Sequence, residues 1–506
     1  MVSRVRTVAF IGMKPIEIIV EAQISPGIAS FCIVGLPDKM VGEAKERVRS
    51  TFFHLGLAIP AKKIVINMAP ADIPKIGSHY DLPIALAILG AIEAIDISLI
   101  ENSISIGELR LDGSLSYVSG AICAAMLANE MNFSLICPKA CENEAKWSGN
   151  ESIIAAPNII SLINHIKGVS QIKSPEIAVA MKNDFNYDVD LLDVHGQLLA
   201  KRALEVAASG SHNVLMVGPP GSGKSMLASR LRTILPLLSA SEALETTCIY
   251  SLAGMLPENG LMYYPPYREP HHSASLISMV GGGSDAKPGE LSLAHNGVLF
   301  LDELPEFQRS TIEALRQPLE TNNITISRAK EHVTYPANIQ LIAAMNPCKC
   351  GLYGNVKKQC HKAPKCAIEY RNRVSGPILD RFDIVVYVNN VKISELLENH
   401  DGETSKVVRS RVESTRKIQQ KRAFVYGIAN SFFNGKVQSK YLEDVTKLDE
   451  ESRSFFHKAI RYASISARGC HKIMRVARTI ADMECSQNVH RHHLAEALQY
   501  RLLNTT

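Results

Sequence analysis

The sequence lacks an apolar segment long enough to cross a membrane. Its longest apolar run, Leu82–Ile92, has 11 residues, about half of what a transmembrane helix needs. The first residues also lack the pattern of a signal peptide, because Arg4, Arg6, Lys14 and Glu17 interrupt the apolar positions and no small-residue cleavage site follows. We therefore expect a cytoplasmic protein with no membrane partner.

The sequence also lacks a marked excess of one charge, an internal repeat and a low-complexity tract. It holds 55 Lys and Arg against 50 Asp and Glu, a net charge of +5, which neither requires nor excludes a nucleic-acid partner. Hydrophobic residues make up 46% and charged residues 21%, a composition that excludes wholesale disorder. A length of 506 residues predicts about three domains.

The 11 cysteines are odd in number and make a poor disulfide framework for a chain of this size. Four of them, Cys348, Cys350, Cys360 and Cys366, fall within 19 positions. Four thiolates in a loop rich in Lys and Gly can form a tetrahedral Zn²⁺ site. The spacing is irregular, and His361 could replace one ligand. Free cysteines are the alternative, but we favour zinc because a polar loop gives clustered thiols no packing role.

Hydrophobic pattern and composition divide the chain into four segments. Residues 1–170 mix strand-like and helix-like stretches and predict an α/β module, and residues 171–190 are polar without periodicity and predict a linker. In residues 191–395 apolar strands alternate with helices, a pattern typical of a parallel sheet with flanking helices. Residues 396–506 show helical spacing and predict a helical domain. The predicted strands are Ile16–Val20, Ile64–Asn67, Ile104–Leu109, Asn213–Val217, Val298–Leu301, Ile339–Ala344 and Ile384–Val388, and the predicted helices include Lys39–Phe53, Leu82–Ile95, Ser454–Ile465 and His471–Met483.

A phosphate-binding loop follows the first strand of the third segment. Gly218-Pro-Pro-Gly-Ser-Gly-Lys-Ser225 fits G-x-x-x-x-G-K-[ST], with a strand at Val214–Val217 before it and a helix at Ser225–Leu235 after it. The glycines let backbone N–H groups surround phosphate oxygens, the lysine reaches the β- and γ-phosphates, and the serine hydroxyl can bind Mg²⁺. With strand and helix both in place, a chance glycine-rich turn is the weaker interpretation. We expect ATP to be held by Gly218, Pro219, Pro220, Gly221, Ser222, Gly223, Lys224, Ser225 and Met226.

Two carboxylates end the next predicted strand. Asp302 and Glu303 follow Val298–Leu301, which places them at the C-terminal edge of a parallel sheet, beside the phosphate loop. Asp302 would support the Mg²⁺ shell together with Ser225, and Glu303 would polarise the water that attacks the γ-phosphate. A strand that merely ends in solvated acids is the alternative, which the neighbouring phosphate loop disfavours.

Two further polar residues stand at strand ends. Asn346 follows the strand that begins at Ile339 and could orient the attacking water, or could simply initiate an Asn-Pro turn. Arg381 immediately precedes the last predicted strand. From the residues alone, a surface salt bridge from Arg381 to Asp380 or Asp383 is the favoured interpretation.

Several longer segments carry a resemblance to a known family. They are Val194-His-Gly-Gln, Lys201-Arg-Ala-Leu-Glu, Arg268-Glu-Pro-His-His-Ser-Ala-Ser, Gly297-Val-Leu-Phe-Leu-Asp-Glu-Leu-Pro-Glu-Phe, Ser375-Gly-Pro-Ile-Leu-Asp-Arg-Phe-Asp and Ser466-Ala-Arg-Gly followed by Val476-Ala-Arg-Thr-Ile-Ala-Asp. The motifs follow one another in an order that resembles that of the AAA+ ATPases. Their amino-acid sequences are similar to those of the magnesium-chelatase-like ComM (YifB) family of bacterial proteins, over essentially the whole chain. The resemblance implies that Asn346 is sensor 1, Arg381 an arginine finger and Arg468 the sensor 2 arginine, with Arg475 as the fallback for Arg468.

The resemblance also implies a homo-oligomeric ring, which we expect to be a hexamer. An arginine finger stabilises transition-state charge on the nucleotide of a neighbouring subunit, so hydrolysis requires a ring. Hairpins before sensor 1 and in the insertion of the second helix point into the central pore of related motors, which makes Lys287, Arg328 and Lys330 candidate contacts to DNA phosphates. Three solvated basic side chains are an equal alternative.

Residues 1 to about 165 resemble the Lon-type protease fold. The segment starting at Pro74-Lys-Ile-Gly-Ser-His is similar to the one that carries the Lon nucleophile, and Val118-Ser-Gly-Ala-Ile122 to the one that carries its lysine. The nucleophile position holds His79 and the lysine position holds Ile122, while Ser78 lies one residue off. A Ser–Lys dyad needs a lysine close enough to accept the proton. We therefore predict an inactive protease fold that serves DNA contact or ring assembly.

The resemblance then predicts an ATP-dependent helicase or translocase that acts on single-stranded and branched DNA and drives branch migration of recombination intermediates during natural transformation. A basic helical stretch could contribute to DNA binding, although a solvated helix face explains it equally well. It contains Lys406, Arg409, Arg411, Arg416, Lys417, Lys421 and Arg422.

A chelatase-type motor that remodels a metal-insertion partner is the first alternative, and the Lon-like module counts against it. An ATP-dependent protease or unfoldase is the second, and it would need the absent dyad.

Overall fold

The first part of the chain folds into a mixed seven-stranded sheet covered by helices. The structure, a computed structural model, describes residues 2–175, 187–257, 260–283, 286–327, 332–353, 360–391, 402–428, 433–463 and 465–502. The elements are β1 (Val2–Ile11), β2 (Lys14–Ser25), β3 (Ser30–Val34), α1 (Lys39–His54), β4 (Lys63–Ala69), α2 (Asp81–Ala91), β5 (Ser103–Ser105), β6 (Glu108–Leu109), β7 (Leu115–Ser116), α3 (Ala121–Glu130), β8 (Ser134–Pro138), α4 (Glu142–Ala145), β9 (Ile153–Ala156) and α5 (Ile159–Ile166). The strand order is β3-β4-β2-β1-β5-β8-β9, and β6 pairs with β7 outside this sheet.

The long apolar run is the buried helix α2. Its residues from Asp81 to Gly90 are all buried, so it reads as apolar on every side because it lies inside the domain. The helix is shorter than predicted and ends at Ala91, because Glu93 adopts a left-handed turn with φ of +60°. The predicted strand Ile104–Leu109 is also divided, into β5 and β6. In the described residues, no helix is both long and apolar enough to cross a bilayer.

The middle of the chain is built on a five-stranded parallel sheet. Its elements are α6 (Leu198–Gly210), β10 (Val214–Val217), α7 (Lys224–Ile234), α8 (Ala240–Ala253), β11 (Tyr267–Arg268), α9 (Leu276–Val280), β12 (Gly281–Gly282), β13 (Lys287–Pro288), α10 (Glu290–Leu293), β14 (Val298–Leu301), α11 (Arg309–Ala314), α12 (Arg316–Thr321), β15 (Asn323–Ser327), β16 (His332–Pro336), β17 (Gln340–Met345), α13 (Lys365–Arg371), α14 (Gly376–Leu379) and β18 (Ile384–Tyr387). The sheet order is β11-β14-β17-β10-β18, and every pairing is parallel. The predicted hairpin before sensor 1 is the antiparallel pair β15–β16.

The last part of the chain is helical, as predicted. It contains α15 (Ser405–Val425), α16 (Ser439–Thr446), α17 (Glu450–Ala463), α18 (Ala467–Met483) and α19 (Arg491–Leu502). Apolar residues of α18 and α19 share one buried cluster with α6, α7 and β10, so the helical lid packs directly on the sheet domain.

Three of the four arginines of α15 join the lid to the sheet domain, and the fourth, Arg422, pairs within the lid. Arg409 Nε donates to the carbonyl of Thr233, and Arg416 Nε donates to the carbonyl of Ala208, each at 2.9 Å. The other two arginines form ion pairs with buried carboxylates, Arg411 with Glu205 and Arg422 with Asp482. The four charges therefore all have partners inside the subunit, although Arg411 is still 42% exposed, and a DNA contact by this stretch stays a prediction. The lysines of the stretch are exposed: Lys406, Lys417 and Lys421.

The N-terminal domain is joined to the sheet domain through the buried carboxylate of Glu144. Its Oε1 accepts hydrogen bonds from Ser251 Oγ of α8 and from the backbone N–H of Ile122, the latter at 2.9 Å, and its Oε2 accepts from Tyr117 Oη at 3.1 Å. The backbone N–H of Gly120 donates to Ser251 Oγ at 2.8 Å. Burial raises the pKa of Glu144, and these donors counteract the rise. An apolar cluster continues the contact: Ile122, Cys123, Met126, Trp147, Leu244, Cys248 and Leu252.

Candidate functional site

Parallel pairing places three polar strand ends side by side. β17 lies between β14 and β10, and the register pairs Leu301 with Ala343 and Met345 with Val217. The segments that follow these strands therefore leave the sheet at the same edge, where α/β proteins bind their ligands. They carry the phosphate loop, the two carboxylates and the sensor asparagine that the sequence predicted.

The backbone of the phosphate loop has room for an anion. Gly221 and Gly223 have φ of +76° and +90°, a region that glycine adopts without strain. A Cβ at either glycine would meet no atom within 4 Å, so both residues border open space. Helix α7 begins directly at Lys224, and its unpaired N-terminal N–H groups favour phosphate at this point.

The lysine of the loop is folded onto neutral oxygen acceptors. Lys224 Nζ donates to the carbonyls of Gly218 and Pro219 at 2.9 Å each, and to Asn346 Oδ1 at 3.2 Å. Burial lowers the pKa of Lys224, whereas the charges of Asp302 and Glu303 raise it. A phosphate oxygen would offer this ammonium group a charged partner, which makes a stronger hydrogen bond than a carbonyl.

Ser225 and Asp302 form the pair that a magnesium ion would use. Ser225 Oγ donates to Asp302 Oδ2 at 2.6 Å, across the gap between α7 and the end of β14. Hydroxyl and carboxylate oxygens, together with phosphate oxygens, suit Mg²⁺. The donor set and the open glycine loop therefore fit Mg–ATP, and a bound Mg²⁺ would neutralise phosphate charge at this pair.

Glu303 has an unusual backbone conformation and a half-exposed carboxylate. Its φ and ψ are 51° and 47°, a left-handed conformation that is uncommon outside glycine and often found at active sites. Its side chain is 50% exposed, and Oε2 lies 3.9 Å from His272 Nδ1. Sequence reasoning gave no role to His272. The signal was present in the segment that starts at Arg268, which contributed only to the family resemblance.

Sequence reasoning also missed Gln197, which forms hydrogen bonds to both the phosphate loop and the segment that follows β18. Its Nε2 donates to the carbonyl of Ser222 at 3.4 Å and to that of Asn389 at 2.5 Å. Gln197 has φ of +53° and stands just before α6, within the quoted segment Val194-His-Gly-Gln. The spacing of this segment carried no periodic or motif signal from which such a bridge could be derived.

Arg381 lies at the amino-terminal ends of the parallel strands, whereas the phosphate loop lies at their carboxyl-terminal ends. It precedes β18, whose first residue pairs with Val214 at the start of β10, whereas the loop follows the end of β10. The strand alone spans about 10 Å, since each residue rises about 3.3 Å. The favoured salt bridge to Asp380 or Asp383 is wrong: Arg381 pairs with Glu320 of α12.

Arg381 and Arg468 belong to one basic cluster. Burial lowers the pKa of Arg381, and the charges of Arg468 and Arg316 lower it further. Arg468 lies in the first turn of α18, and therefore joins Arg381 from the lid. The alternative sensor, Arg475, is largely buried on the same helix beside the charge of Asp383.

The sulfur atoms of the four loop cysteines lie close together. The Sγ atoms of Cys348, Cys350, Cys360 and Cys366 all lie within 4.8 Å of one another, and those of Cys348 and Cys350 are 3.2 Å apart. Such a set fits the tetrahedral thiolate ligands of zinc. The loop also touches the phosphate loop, because a Cβ at Gly351 would lie 2.5 Å from Pro220 Cδ.

A cavity between the N-terminal and sheet domains is lined by Ser78 and His79, the two residues compared above with the Lon nucleophile. His79 is buried with Nε2 2.9 Å from the carbonyl of Val8, and burial lowers its pKa to about 4, so the ring is neutral at pH 7. Ser78 Oγ donates to the carboxylate of Glu108, and Ile122 is fully buried. The cavity of about 330 Å³ is also lined by Lys287.

The three predicted DNA contacts are only partly described by the structure. Lys287 is exposed at the start of β13 and borders the cavity between the N-terminal and sheet domains. Arg328 and Lys330 lie outside the described residues. A pore position for these side chains stays a prediction.

Comparisons with known proteins cover nearly the whole chain. The family model described as magnesium chelatase, subunit ChlI matches residues 190–396, that of subunit ChlI of Mg-chelatase matches residues 20–141, and that of the subunit ChlI C-terminal region matches residues 402–501. The competence protein ComM of Haemophilus influenzae is 42% identical over 98% of this chain and 96% of its own length. The chain belongs to the ComM/YifB family. YifB of Escherichia coli is 41% identical over 99% of the chain and 97% of its own length.

Membership of the ComM/YifB family confirms the predicted resemblance and the α/β fold with its helical C-terminal region. The ComM/YifB chain is also 26% identical to the DNA replication licensing factor Mcm6 of Anopheles gambiae, over 43% of this chain and 25% of that protein. These matches identify the ComM/YifB family as one of the AAA+ ATPase type, which binds nucleotide and Mg²⁺.

Proposed function

We propose that this chain is a cytoplasmic, ring-forming, ATP-dependent DNA helicase or translocase that promotes branch migration of recombination intermediates during natural transformation. It would work as a hexamer on single-stranded and branched DNA. The three functional units would be an inactive Lon-like domain at 1–170, an AAA+ core at 191–395 and a lid at 396–506, with a linker at 171–190.

The residues at the carboxyl edge of the sheet support ATP hydrolysis. Lys224 would neutralise the β- and γ-phosphates, and Ser225 with Asp302 would hold Mg²⁺. Glu303 would accept a proton from the attacking water, because its half-exposed carboxylate is accessible to water. Asn346, held 3.2 Å from Lys224 Nζ, would orient that water.

The position of Arg381 is the observation that most directly supports the proposal of a ring. An arginine finger must reach the γ-phosphate. Arg381, however, precedes β18, whereas the phosphate loop of the same chain follows the other end of the neighbouring strand β10. A neighbouring subunit can bring its phosphates to Arg381, and Arg468 in the same basic cluster would contact them too. Transition-state charge would then be stabilised in trans.

Two relatives support DNA as the partner. One is named a competence protein and the other a DNA replication licensing factor. Exposed basic groups on the ring, Lys287 foremost among those described, would contact phosphates without reading sequence.

A four-way junction assay tests this proposal. The wild-type protein should dissociate the junction and hydrolyse ATP faster in its presence. Lys224→Ala should lose ATP binding, and Glu303→Gln should retain ATP and DNA binding but lose both activities. Glu306→Gln is the matched control, because Glu306 lies three residues on and pairs with Arg373 at the surface.

The same assay separates the alternatives. If neither linear DNA nor a junction changes ATP turnover, the DNA motor is refuted and a chelatase-type motor becomes the better hypothesis. ATP-dependent cleavage of casein by the pure protein would favour the protease. The buried, neutral His79 and the buried Ile122 oppose that outcome.

We also propose that the four-cysteine loop binds one structural zinc ion, because the four sulfurs already converge within bonding reach of a single ion. Metal analysis of the purified protein should give about one zinc per chain. Cys360→Ser should lose the zinc, whereas Cys485→Ser, an exposed cysteine outside the loop, should keep it. Equal zinc content in both variants would refute the site.

A further inference from the structure

Three consecutive backbone carbonyls around Arg381 accept hydrogen bonds from two side chains, the buried Lys472 and the partly buried Asn213. Lys472 Nζ donates to the carbonyls of Asp380 and Phe382, the latter at 2.9 Å. The carbonyl between them, that of Arg381 itself, accepts from Asn213 Nδ2 at 3.1 Å. Buried carbonyls need donors in any fold, but here the donor to two of the three belongs to the lid, so the contact joins the loop around Arg381 to the lid.

Lys472 belongs to the lid and contacts the loop Asp380–Phe382, which contains Arg381 and is called the arginine finger loop below. Lys472 lies on α18, four residues after Arg468 and three before Arg475, so that all three project from one face of the helix. The side chain of Lys472 is 10% exposed and its ammonium lies 3.7 Å from Asp383 Oδ1. Arg501 of α19 adds a further hydrogen bond to the carbonyl of Phe382, at 3.3 Å.

The neighbouring charges explain why a buried lysine is tolerated here. Burial lowers the pKa of Lys472 to about 8, with the charges of Asp383 and Asp380 opposing the fall. Lys472 therefore remains mostly protonated at pH 7 and offers three N–H donors. Two of them are engaged by the carbonyls on either side of Arg381.

We propose that Lys472 is a positioning residue that locks the arginine finger loop to the lid, so that Arg381 and Arg468 are presented to the neighbouring subunit as one rigid group. This inference rests on the proposed ring with its trans-acting finger. Its consequence is that any movement of the lid in one subunit would shift the finger that serves the next subunit.

Steady-state ATP hydrolysis gives the first test. Lys472→Met should lower kcat by about 10- to 100-fold with KM changed less than about threefold, because a displacement of about 1 Å in a catalytic group can cost about 10²-fold, while the subunit's own phosphate loop is untouched. Lys472→Arg keeps N–H donors and should retain most of the activity. Arg501→Met, which removes one hydrogen bond to the same loop, should give a smaller loss. Lys458→Met on α17, an exposed lysine, is the matched control.

Mixing variants gives the decisive test, because the proposed defect lies in the finger and not in the nucleotide site. Lys472→Met subunits have an intact phosphate loop, and Lys224→Ala subunits have an intact finger. Mixed rings should therefore hydrolyse ATP faster than the mean of the two unmixed variants. The reference mixture is Arg381→Ala with Lys224→Ala.

The outcomes are distinguishable. Recovery in both mixtures supports the inference. Recovery in the Arg381→Ala mixture alone overturns it, as does a large rise in KM or failure of Lys472→Arg to rescue when its thermal unfolding is normal. If neither mixture recovers, the trans-acting finger of the proposed function is wrong, and the role of Lys472 toward a neighbour is overturned with it.

Discussion

Asp482 stabilises the lid through one fully buried negative charge. Its carboxylate accepts hydrogen bonds from Arg422 Nη1 at 2.9 Å, from Arg478 Nε at 3.0 Å and from Asn434 Nδ2 at 2.8 Å. Arg478 is 1% exposed and also donates to the carbonyl of Gln487 at 2.9 Å. The cluster therefore joins α15, α18 and the loop before α19.

Asp482→Asn should destabilise the lid by about 3–5 kcal/mol, the typical cost of removing one partner of a buried ion pair. Asparagine keeps the shape of the side chain but leaves the guanidinium of Arg478 buried without its counter-charge. At about 1.4 kcal/mol per factor of ten, the lid should open about 10²- to 10⁴-fold more often. Asp444→Asn, at an exposed position of α16, should change stability by less than about 0.5 kcal/mol.

Amide hydrogen exchange of α15 and α18 measures this change. Fluorescence would not, because the single tryptophan, Trp147, lies in the N-terminal domain. The double variant Asp482→Leu with Arg478→Met should cost less than the sum of the two single changes, since an apolar pair can replace a buried ion pair at little cost. Exchange in Asp482→Asn that matches Asp444→Asn, or strictly additive single changes, would refute this account.

Three further changes concern the nucleotide site and its support. Glu303→Gln should lower kcat by about 10²- to 10⁴-fold without changing ATP affinity, and an equal loss of affinity in a binding titration would contradict the role of general base. Asn346→Ala should lower kcat roughly 10²-fold at unchanged affinity, and full activity would exclude a part in water positioning. Burial alone would raise the pKa of Asp383, but the adjacent His212 and the charge of Lys472 hold it at about 2. Since an unfolded aspartate titrates near 3.9, the ionised Asp383 contributes about 2–3 kcal/mol of stability above about pH 5, and this contribution is lost as the pH falls toward 2. Urea unfolding of Asp383→Asn should show a smaller loss of stability over that range than the wild type, and identical losses would disprove this account.

Local signals in the sequence were sufficient to predict which polar strand ends lie together at one end of the parallel sheet. The phosphate loop, the carboxylates after β14 and the asparagine after β17 each follow an apolar strand, and parallel strands bring such ends together. The family resemblance supplied the role of Arg381, whereas the residues alone favoured the wrong salt bridge. That error arose because Asp383, a neighbour in sequence, points into a buried charge cluster, while Glu320, which pairs with Arg381, is distant in sequence.

Other features depended on tertiary contacts that no local pattern encodes. The sequence left open whether the arginines of α15 form a DNA-binding face or a solvated face, and it did not indicate their contacts with the sheet domain. A charged helix surface has the same spacing whether it meets solvent, phosphate or a neighbouring domain. Lys472 gave no signal, since a buried lysine that donates to carbonyls cannot be distinguished in sequence from an exposed one. The cysteine loop was recognised from the clustering of four cysteines in sequence, and only the fold shows that their sulfurs converge next to Pro220.

The joint at Glu144 has a consequence for movement in the proposed ring. Because this carboxylate collects donors from both domains in a contact closed to water, the N-terminal domain follows the sheet domain as a fixed attachment. In the proposed ring, each N-terminal domain would therefore move together with its own sheet domain and would add no separate moving part.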